Sequence, residues 1–208
     1  MNSKDSQSIK LEVPFYKQTT KTNCGSVVLH MVMSYLDKDI DLEILEKIIK
    51  INEGKAVLTI QIAIASALSG FPTEFFSKKI SFNKENLKLE FYQKYLDNKV
   101  DHEKLIEEAK NVGVKIEERR MPIEELLRNV TNKTIPIILL DWNVIKGESG
   151  YQGHFVPIVG YDNESVYVHN NGLNNPTPFL KIKRELFEQA RKSEGTDEDI
   201  IIIHRKVW

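Results

Sequence analysis

The sequence predicts an α+β fold in which helices come first and an antiparallel sheet follows. Two observations support this prediction. Residues 24–127 repeat apolar side chains mostly at the spacing of three and four that is typical of helices. From residue 135 onward, segments rich in branched and aromatic residues are typical of strands. We expect a flexible N-terminal tail over residues 1–10 and a single domain over residues 11–208.

The helical half begins with the most apolar segment, from Cys24 to Leu36. Few polar residues interrupt this helix, so we expect it to be central and buried. Asp41 and Thr59 are suitable N-caps for the next two helices, because their side chains can accept hydrogen bonds from backbone N–H groups. Further helices are predicted over residues 83–96, 101–111, 122–127 and 184–192.

The sheet is predicted from four strands, at Ile135–Trp142, His154–Tyr161, Ser165–His169 and Ile200–Arg205. The polar turn at residues 162–164 joins the second strand to the third. A connection this short favours an antiparallel hairpin. The start of the second strand and the end of the third are therefore expected to be neighbours.

The charge and hydropathy of the chain exclude several classes of function. Twenty-nine basic and thirty acidic residues give a net charge of -1, which argues against an extended nucleic-acid interface. The apolar runs are far shorter than the roughly 20 residues that span a bilayer, and the N-terminus lacks a secretory signal. We therefore expect a cytoplasmic protein without a membrane span. The histidines are too scattered to predict a metal site, no cofactor is expected, and the oligomeric state stays open.

Cys24 is the single cysteine of the chain and sits where the buried helix begins. One interpretation is an inert core thiol; the other is a nucleophile. A helix N-terminus exposes unpaired N–H groups and a partial positive charge, and both favour the thiolate. We therefore expect a lowered pKa at Cys24. Gly25 beside it would let a substrate backbone approach closely.

A cysteine nucleophile needs a base, and His154 is the candidate. It follows the glycine-containing loop that ends at Gly153, at the start of a predicted strand. Across the hairpin, Asn170 can accept a hydrogen bond that fixes the imidazole, and Asn171 is the competing candidate. Gln18, six residues before the cysteine, can donate one hydrogen bond to a developing oxyanion, and the Cys24 N–H can donate a second.

The residues expected to contact substrate are Gly25, Gly153 and Trp142. Trp142 ends the strand that precedes the His154 loop. Its indole could line the cleft and keep water from the asparagine–histidine contact. A tryptophan packed in the core is the alternative.

Together these segments resemble the papain-like cysteine peptidases. The similar stretches are VPFYKQ at 13–18, NCGS at 23–26, GHFVPIVGY at 153–161 and VYVHN at 166–170. They are most similar to the bacteriocin-processing, double-glycine peptidases and their free-standing relatives. The resemblance implies a helical subdomain packed against a twisted antiparallel sheet.

The resemblance also implies a role for each matched residue. Gln18 would be the oxyanion donor, Cys24 the nucleophile, His154 the base and Asn170 the orienting residue. Two positions depart from that branch: Ser26 replaces a proline, and Asn170-Asn171 replaces aspartate-proline. Asparagine orients the base in papain itself, so catalysis is compatible with this sequence.

The sequence thus predicts a cysteine peptidase that hydrolyses a peptide or isopeptide bond in a peptide or protein substrate. Two alternatives use the same cleft. An acyltransferase or deamidase would use the same nucleophile on a different acceptor or amide. A catalytically inactive module would only hold a peptide.

Overall fold

A computed structural model describes residues 8–37 and 40–206, and within them the α+β fold is confirmed. The strands are β1 (Ile9–Lys10), β2 (Thr73–Ser77), β3 (Lys115–Glu118), β4 (Thr134–Asp141), β5 (Gly153–Tyr161), β6 (Ser165–Asn170), β7 (Thr177–Lys183) and β8 (Ile200–His204). The helices are α1 (Cys24–Leu36), α2 (Leu42–Ile49), α3 (Thr59–Leu68), α4 (Glu90–Tyr95), α5 (His102–Asn111), α6 (Ile123–Arg128), α7 (Trp142–Lys146) and α8 (Arg184–Arg191), with a 3₁₀ helix at Lys84–Lys88.

The described strands form one sheet in the order β3-β2-β8-β4-β5-β6-β7. All neighbours in this order are antiparallel except β2 and β3, which are parallel at one edge. Strand β5 is the longest and changes partners along its length. Its first half pairs with β4, whereas its second half pairs with β6 and with β1. The expected β5–β6 hairpin is confirmed.

Helices cover both faces of the sheet, so two apolar cores form. The larger core packs α1, α2 and α3 against one face, and the smaller core packs α6 and α8 against the other. Alternation along β4 divides its side chains between them. Ile137 and Leu139 belong to the larger core, while Ile138 and Leu140 belong to the smaller. Helix α1 is central and buried, as predicted.

The helix ends agree with the sequence prediction at some positions and differ at others. The Asp41 carboxylate accepts hydrogen bonds from the backbone N–H groups of Glu43 and Ile44, so it caps α2 as expected. The expectation for Thr59 is wrong, because Thr59 is already the first helical residue. The Gln61 side chain instead accepts a hydrogen bond, at 2.9 Å, from the backbone N–H of Leu58.

Four strands of the structure, β1, β2, β3 and β7, lie outside the four strands predicted from the sequence. Each is short or lies at an edge, and β3 and β7 carry several charged residues. At the edge formed by β3, Lys115 pairs with Glu74 of β2 at 3.0 Å. Paired charges of this kind replace apolar alternation on an exposed edge, which is why the pattern was not visible.

The expected N-terminal tail lies mostly outside the described residues. Its last two residues, Ile9 and Lys10, form β1 and pair with Tyr161 and Gly160. No helix within residues 8–37 and 40–206 is long and apolar enough to cross a bilayer.

We predict that Gly160→Ala detaches β1 from β5. A Cβ at Gly160 would lie 2.3 Å from the carbonyl oxygen of Ile9, too close for the two strands to stay paired. The free energy of unfolding, measured in urea, should fall by roughly 1–3 kcal/mol. Hydrogen exchange should accelerate at the Leu11 amide, which donates to the Val159 carbonyl at 2.8 Å.

Glu164→Ala is the control for this measurement, because that side chain is exposed in the neighbouring turn. It should leave both the stability and the Leu11 exchange rate unchanged. Unchanged exchange at Leu11 in Gly160→Ala would contradict the predicted detachment.

Candidate functional site

Cys24 is the first residue of α1. The preceding residue, Asn23, makes no side-chain hydrogen bond to the helix. Its Oδ1 instead accepts from the backbone N–H groups of Thr19 and Thr20, at 3.2 and 3.1 Å. The first-turn N–H groups of α1 are therefore not capped by the residue that usually caps them. An uncapped helix N-terminus can donate to a negative oxygen.

Burial raises the pKa of the Cys24 thiol above its ordinary value. The backbone N–H groups of Phe155, Gly25 and Cys24 favour the thiolate and act in the opposite direction, but burial is the larger effect. The expectation of a lowered pKa was therefore wrong. The physical reason is that the start of α1 lies against β5, where desolvation outweighs the helix N-terminus.

His154 and Asn170 are brought together, as the hairpin predicted. His154 Nε2 lies 3.2 Å from Asn170 Oδ1. Two more hydrogen bonds fix the orientation of the amide. The backbone N–H of Gly172 donates to the same Oδ1 at 3.1 Å, and Asn170 Nδ2 donates to the Asn175 carbonyl at 2.9 Å. Since Oδ1 can only accept, Nε2 carries the proton and Nδ1 is left with the lone pair.

The His154 imidazole is buried and lies against Trp142. The two rings meet edge to face with centroids 4.8 Å apart. Trp142 is the first residue of α7, not the last residue of a strand. Burial lowers the pKa of His154 to about 4, and the Asn170 hydrogen bond acts weakly in the other direction. At neutral pH the imidazole is therefore uncharged and able to accept a proton.

Asn171 hydrogen-bonds to the backbone of Cys24 and not to the imidazole. Its Nδ2 donates to the Cys24 carbonyl at 3.0 Å, and its own carbonyl accepts from the Gln18 N–H at 2.9 Å. The two adjacent asparagines therefore contact different parts of the site. The hydrogen bonds within the described residues do not include one between the Cys24 thiol and His154.

Gln18 lies in the loop before α1 and is buried. Its Nε2 donates to the Thr20 carbonyl at 2.8 Å, which leaves a second N–H on the same nitrogen. Its Oε1 is buried and has no hydrogen-bond partner among residues 8–37 and 40–206. Gln18 therefore has unused donor capacity next to the residues that contact Cys24.

The two glycines predicted to contact substrate have protein neighbours. A Cβ at Gly25 would lie 2.5 Å from Val57 Cγ1 and 2.7 Å from Ile62 Cδ1, so this glycine allows α1 to approach α3. Gly153 is at the start of β5, where a Cβ would meet the Tyr151 hydroxyl at 2.9 Å.

A cavity opens beside Cys24, and most of its lining comes from residues that the sequence analysis did not single out. Of the predicted site residues, Cys24 and Gly153 line it. The remaining lining is largely aromatic and apolar, with Phe75, Phe82, Phe91, Tyr92, Tyr95, Leu139, Tyr151 and Phe155, and it includes Asp197 and Asp199. Two sequence features could have indicated this cavity. One is the group of aromatic residues within 91–95, and the other is Asp199, a charged residue directly before four isoleucines.

Metal-binding side chains do not cluster in the part of the chain that the structure describes. No group of three or more histidine, cysteine, aspartate or glutamate side chains there is placed to hold a metal ion.

Solved structures with a similar fold are peptidases. A C39-like peptidase from Bacillus anthracis is 19% identical, with a TM-score of 0.54 over 97% of this chain and 100% of that one. The peptidase domain of Streptococcus ComA is 12% identical, with a TM-score of 0.52 over 94% and 100% of the two chains. A double glycine motif protease in complex with a leader peptide is 16% identical, with a TM-score of 0.53 over 96% and 95%. At these identities the likeness shows the fold alone, which confirms the papain-like architecture.

The sequence comparisons give a different family name from the one that the resemblance implied. Guanylyl cyclase 1 of Arabidopsis thaliana is 27% identical over 215 residues, which cover 95% of this chain and 77% of that protein. The family model described as guanylylate cyclase matches residues 13–203. The chain therefore belongs to the guanylylate cyclase family and has the fold of C39-like peptidases.

Proposed function

We propose that the protein is a cysteine hydrolase that cleaves an amide bond in a peptide or protein substrate. The hydrogen bond between His154 Nε2 and Asn170 Oδ1 carries this proposal. It holds a neutral imidazole at the start of β5, the strand against which the N-terminus of α1 packs. The order and spacing of Gln18, Cys24, His154 and Asn170 support the same assignment.

The first half of the reaction acylates the thiol. As the carbonyl carbon approaches, His154 Nδ1 accepts the thiol proton and Cys24 Sγ forms a bond to that carbon. The imidazolium then donates this proton to the leaving amine as the carbon–nitrogen bond breaks. A thioester to Cys24 remains. Asn170 stabilises the transient imidazolium by accepting the Nε2 proton in a hydrogen bond.

The second half of the reaction is hydrolysis of the thioester. His154 Nδ1 takes a proton from water, and the resulting hydroxide oxygen bonds to the acyl carbon. The carbon–sulfur bond then breaks, the thiol regains the proton, and a carboxylic acid leaves. In both halves the negative oxygen would receive hydrogen bonds from the uncapped first turn of α1 and from the second N–H of Gln18 Nε2.

The family name supports a second candidate, the conversion of GTP to a cyclic nucleotide. The plant relative is named as a guanylyl cyclase. In the aromatic cavity beside Cys24, the rings could stack on a base. The two candidates differ in their dependence on the thiol, so one pair of variants separates them.

We predict that Cys24→Ala abolishes peptide hydrolysis because it removes the nucleophile. Turnover of a mixed peptide library, followed by mass spectrometry, should fall by roughly 1,000-fold or more. Cys24→Ser is the matched control for side-chain volume and should also be inactive, since a serine here lacks the acidity of a thiol. Cyclic GMP production from GTP is measured on the same samples.

These results would decide between the candidates. If Cys24→Ala cleaves the peptide library as fast as wild type, the proposed cysteine hydrolase is wrong. Formation of cyclic GMP by wild type and Cys24→Ala alike, without peptide cleavage, would support the second candidate.

We predict that Cys24 reacts as an ordinary or weakly acidic thiol in the absence of substrate. Because burial raises the pKa of the thiol, the rate of iodoacetamide alkylation should still be rising above about pH 8.5. His154→Ala should leave the rate below pH 7 unchanged, since no charged imidazole is lost. A plateau already present at pH 6 and lowered in His154→Ala would instead reveal a thiolate–imidazolium pair.

We predict different consequences for the two neighbouring asparagines. Asn170→Ala should lower kcat by roughly 100-fold, because the base loses its orientation. Asn170→Asp should retain most of kcat and shift the acidic limb of the pH profile upward from about pH 4, since a carboxylate raises the pKa of His154. Asn171→Ala should leave the position of that limb unchanged. Equal pH profiles for Asn170→Asp and wild type would contradict the orienting role.

A further inference from the structure

A row of side-chain positions crosses the sheet on the face that carries α1. Leu139 pairs with Phe155 of β5, and its N–H donates to the Asp199 carbonyl at 3.3 Å. Strands β2 and β8 are antiparallel, with Phe76 opposite Ile200. The next position along places Ser77 opposite Asp199, so the row continues to Ser77. Phe155, Leu139 and Asp199 all line the cavity beside Cys24. Since neighbouring strands are about 4.8 Å apart, Asp199 lies roughly 10 Å from Phe155.

Aromatic side chains form the walls between these two ends. Phe91 contacts the Tyr151 ring edge to face, with centroids 5.4 Å apart. Tyr92 stacks on Tyr151, with ring centroids 5.7 Å apart. Aromatic faces attract ammonium and guanidinium groups, and the planar guanidinium also stacks on them. These walls therefore suit an elongated cation as well as an apolar stem.

The inner end of the cavity holds hydrogen-bond acceptors. Asn86 is 1% exposed, and its Oδ1 has no hydrogen-bond partner within the described chain. Burial raises the pKa of the Asp199 carboxyl to about 7, although hydrogen bonds from Thr59 and Ser77 oppose this effect. No ion pair among the described residues includes Asp199. Asp197 is different, because its carboxylate accepts hydrogen bonds from Asn83 and Asn86 at 2.9 and 2.7 Å.

We propose that this cavity binds a lysine or arginine side chain of the substrate close to the bond that Cys24 attacks, with Asp199 and Asn86 Oδ1 accepting its N–H groups. This inference rests on the proposed hydrolase function and names its specificity. A neutral side chain would leave the Asp199 carboxylate without an opposite charge, and an apolar one would also leave the buried Asn86 Oδ1 without a donor; both are costly. A short side chain would not reach across two strands. Lys21 and Lys79 also line the cavity, but both are exposed, so water screens their charges.

The test uses peptidyl acyloxymethyl ketones, which alkylate an active-site thiol after binding as a substrate does. Three probes share one backbone and carry arginine, its neutral isostere citrulline, or norleucine, placed in turn at each of the three residues before the reactive ketone. Labelling rates of Cys24 are measured by intact mass in wild type, Asp199→Asn and Asp199→Glu. Iodoacetamide labelling, which needs neither a peptide backbone nor a cation beside Asp199, is the control for folding and for access to the thiol.

At one position, the arginine probe should label wild type roughly 10- to 100-fold faster than the citrulline probe, as expected for a hydrogen bond to a charged group. This ratio should fall to about 1 in Asp199→Asn and persist in Asp199→Glu, while iodoacetamide rates stay equal. Equal arginine and citrulline rates at every position, or a preference that survives in Asp199→Asn, would overturn the inference while leaving the hydrolase intact.

Two other outcomes separate this inference from the proposed function. If iodoacetamide alkylates Cys24 and none of the peptidyl ketones labels it faster than iodoacetamide does, both the proposed hydrolase function and the proposed specificity are wrong. If guanosine protects Cys24 from iodoacetamide at concentrations where arginine methyl ester does not, the cavity binds a base and the inference is wrong.

Discussion

The close approach of α1 to β5 is the contact on which the rest of the site depends. Gly25 permits it, because a Cβ at this position would lie 3.3 Å from the Phe155 ring of β5, and would also collide with Val57 and Ile62 on the side of α3. The contact sets Cys24 beside the N–H of Phe155, next in sequence to His154. It also leaves the thiol half-buried, and the desolvation that results raises the pKa of Cys24. The same contact therefore determines both the position of Cys24 and the pKa of its thiol.

Two adjacent asparagines at the end of β6 contact different parts of the site. Asn170 contacts the imidazole, and Asn171 contacts the carbonyl of Cys24. Asn170 is the last residue of β6 and Asn171 is the first residue after it, so the end of one strand reaches both halves of the site. Strands β2, β4 and β5 and the segment before β8 supply one side of the cavity, and the segment around α4 supplies aromatic walls. The proposed catalytic residues and the cavity lining thus come largely from different parts of the chain.

Sequence periodicity predicted the elements whose apolar pattern is regular, including α1 and the β5–β6 hairpin. It could not predict β3, where charge pairing across an edge replaces apolar alternation. Hairpin geometry placed His154 near Asn170 and Asn171, and the family resemblance favoured Asn170. The acidity of Cys24 could not be predicted, since desolvation depends on neighbours far away in sequence. Asp199 was missed for the same reason, because only the sheet order brings it into line with Phe155.

A thiol that stays protonated in the absence of substrate also affects the rate at which oxidants react with Cys24. Peroxide and disulfides react with the thiolate, so a raised pKa slows the formation of sulfenic acid and mixed disulfides at Cys24. In the proposed reaction the neutral imidazole would not counteract this, because it would take the thiol proton only when an electrophilic carbon is in place. If the proposed mechanism holds, the thiol acts as a nucleophile during turnover and not between substrates. A thiol that iodoacetamide alkylates slowly would, for the same reason, resist oxidative inactivation.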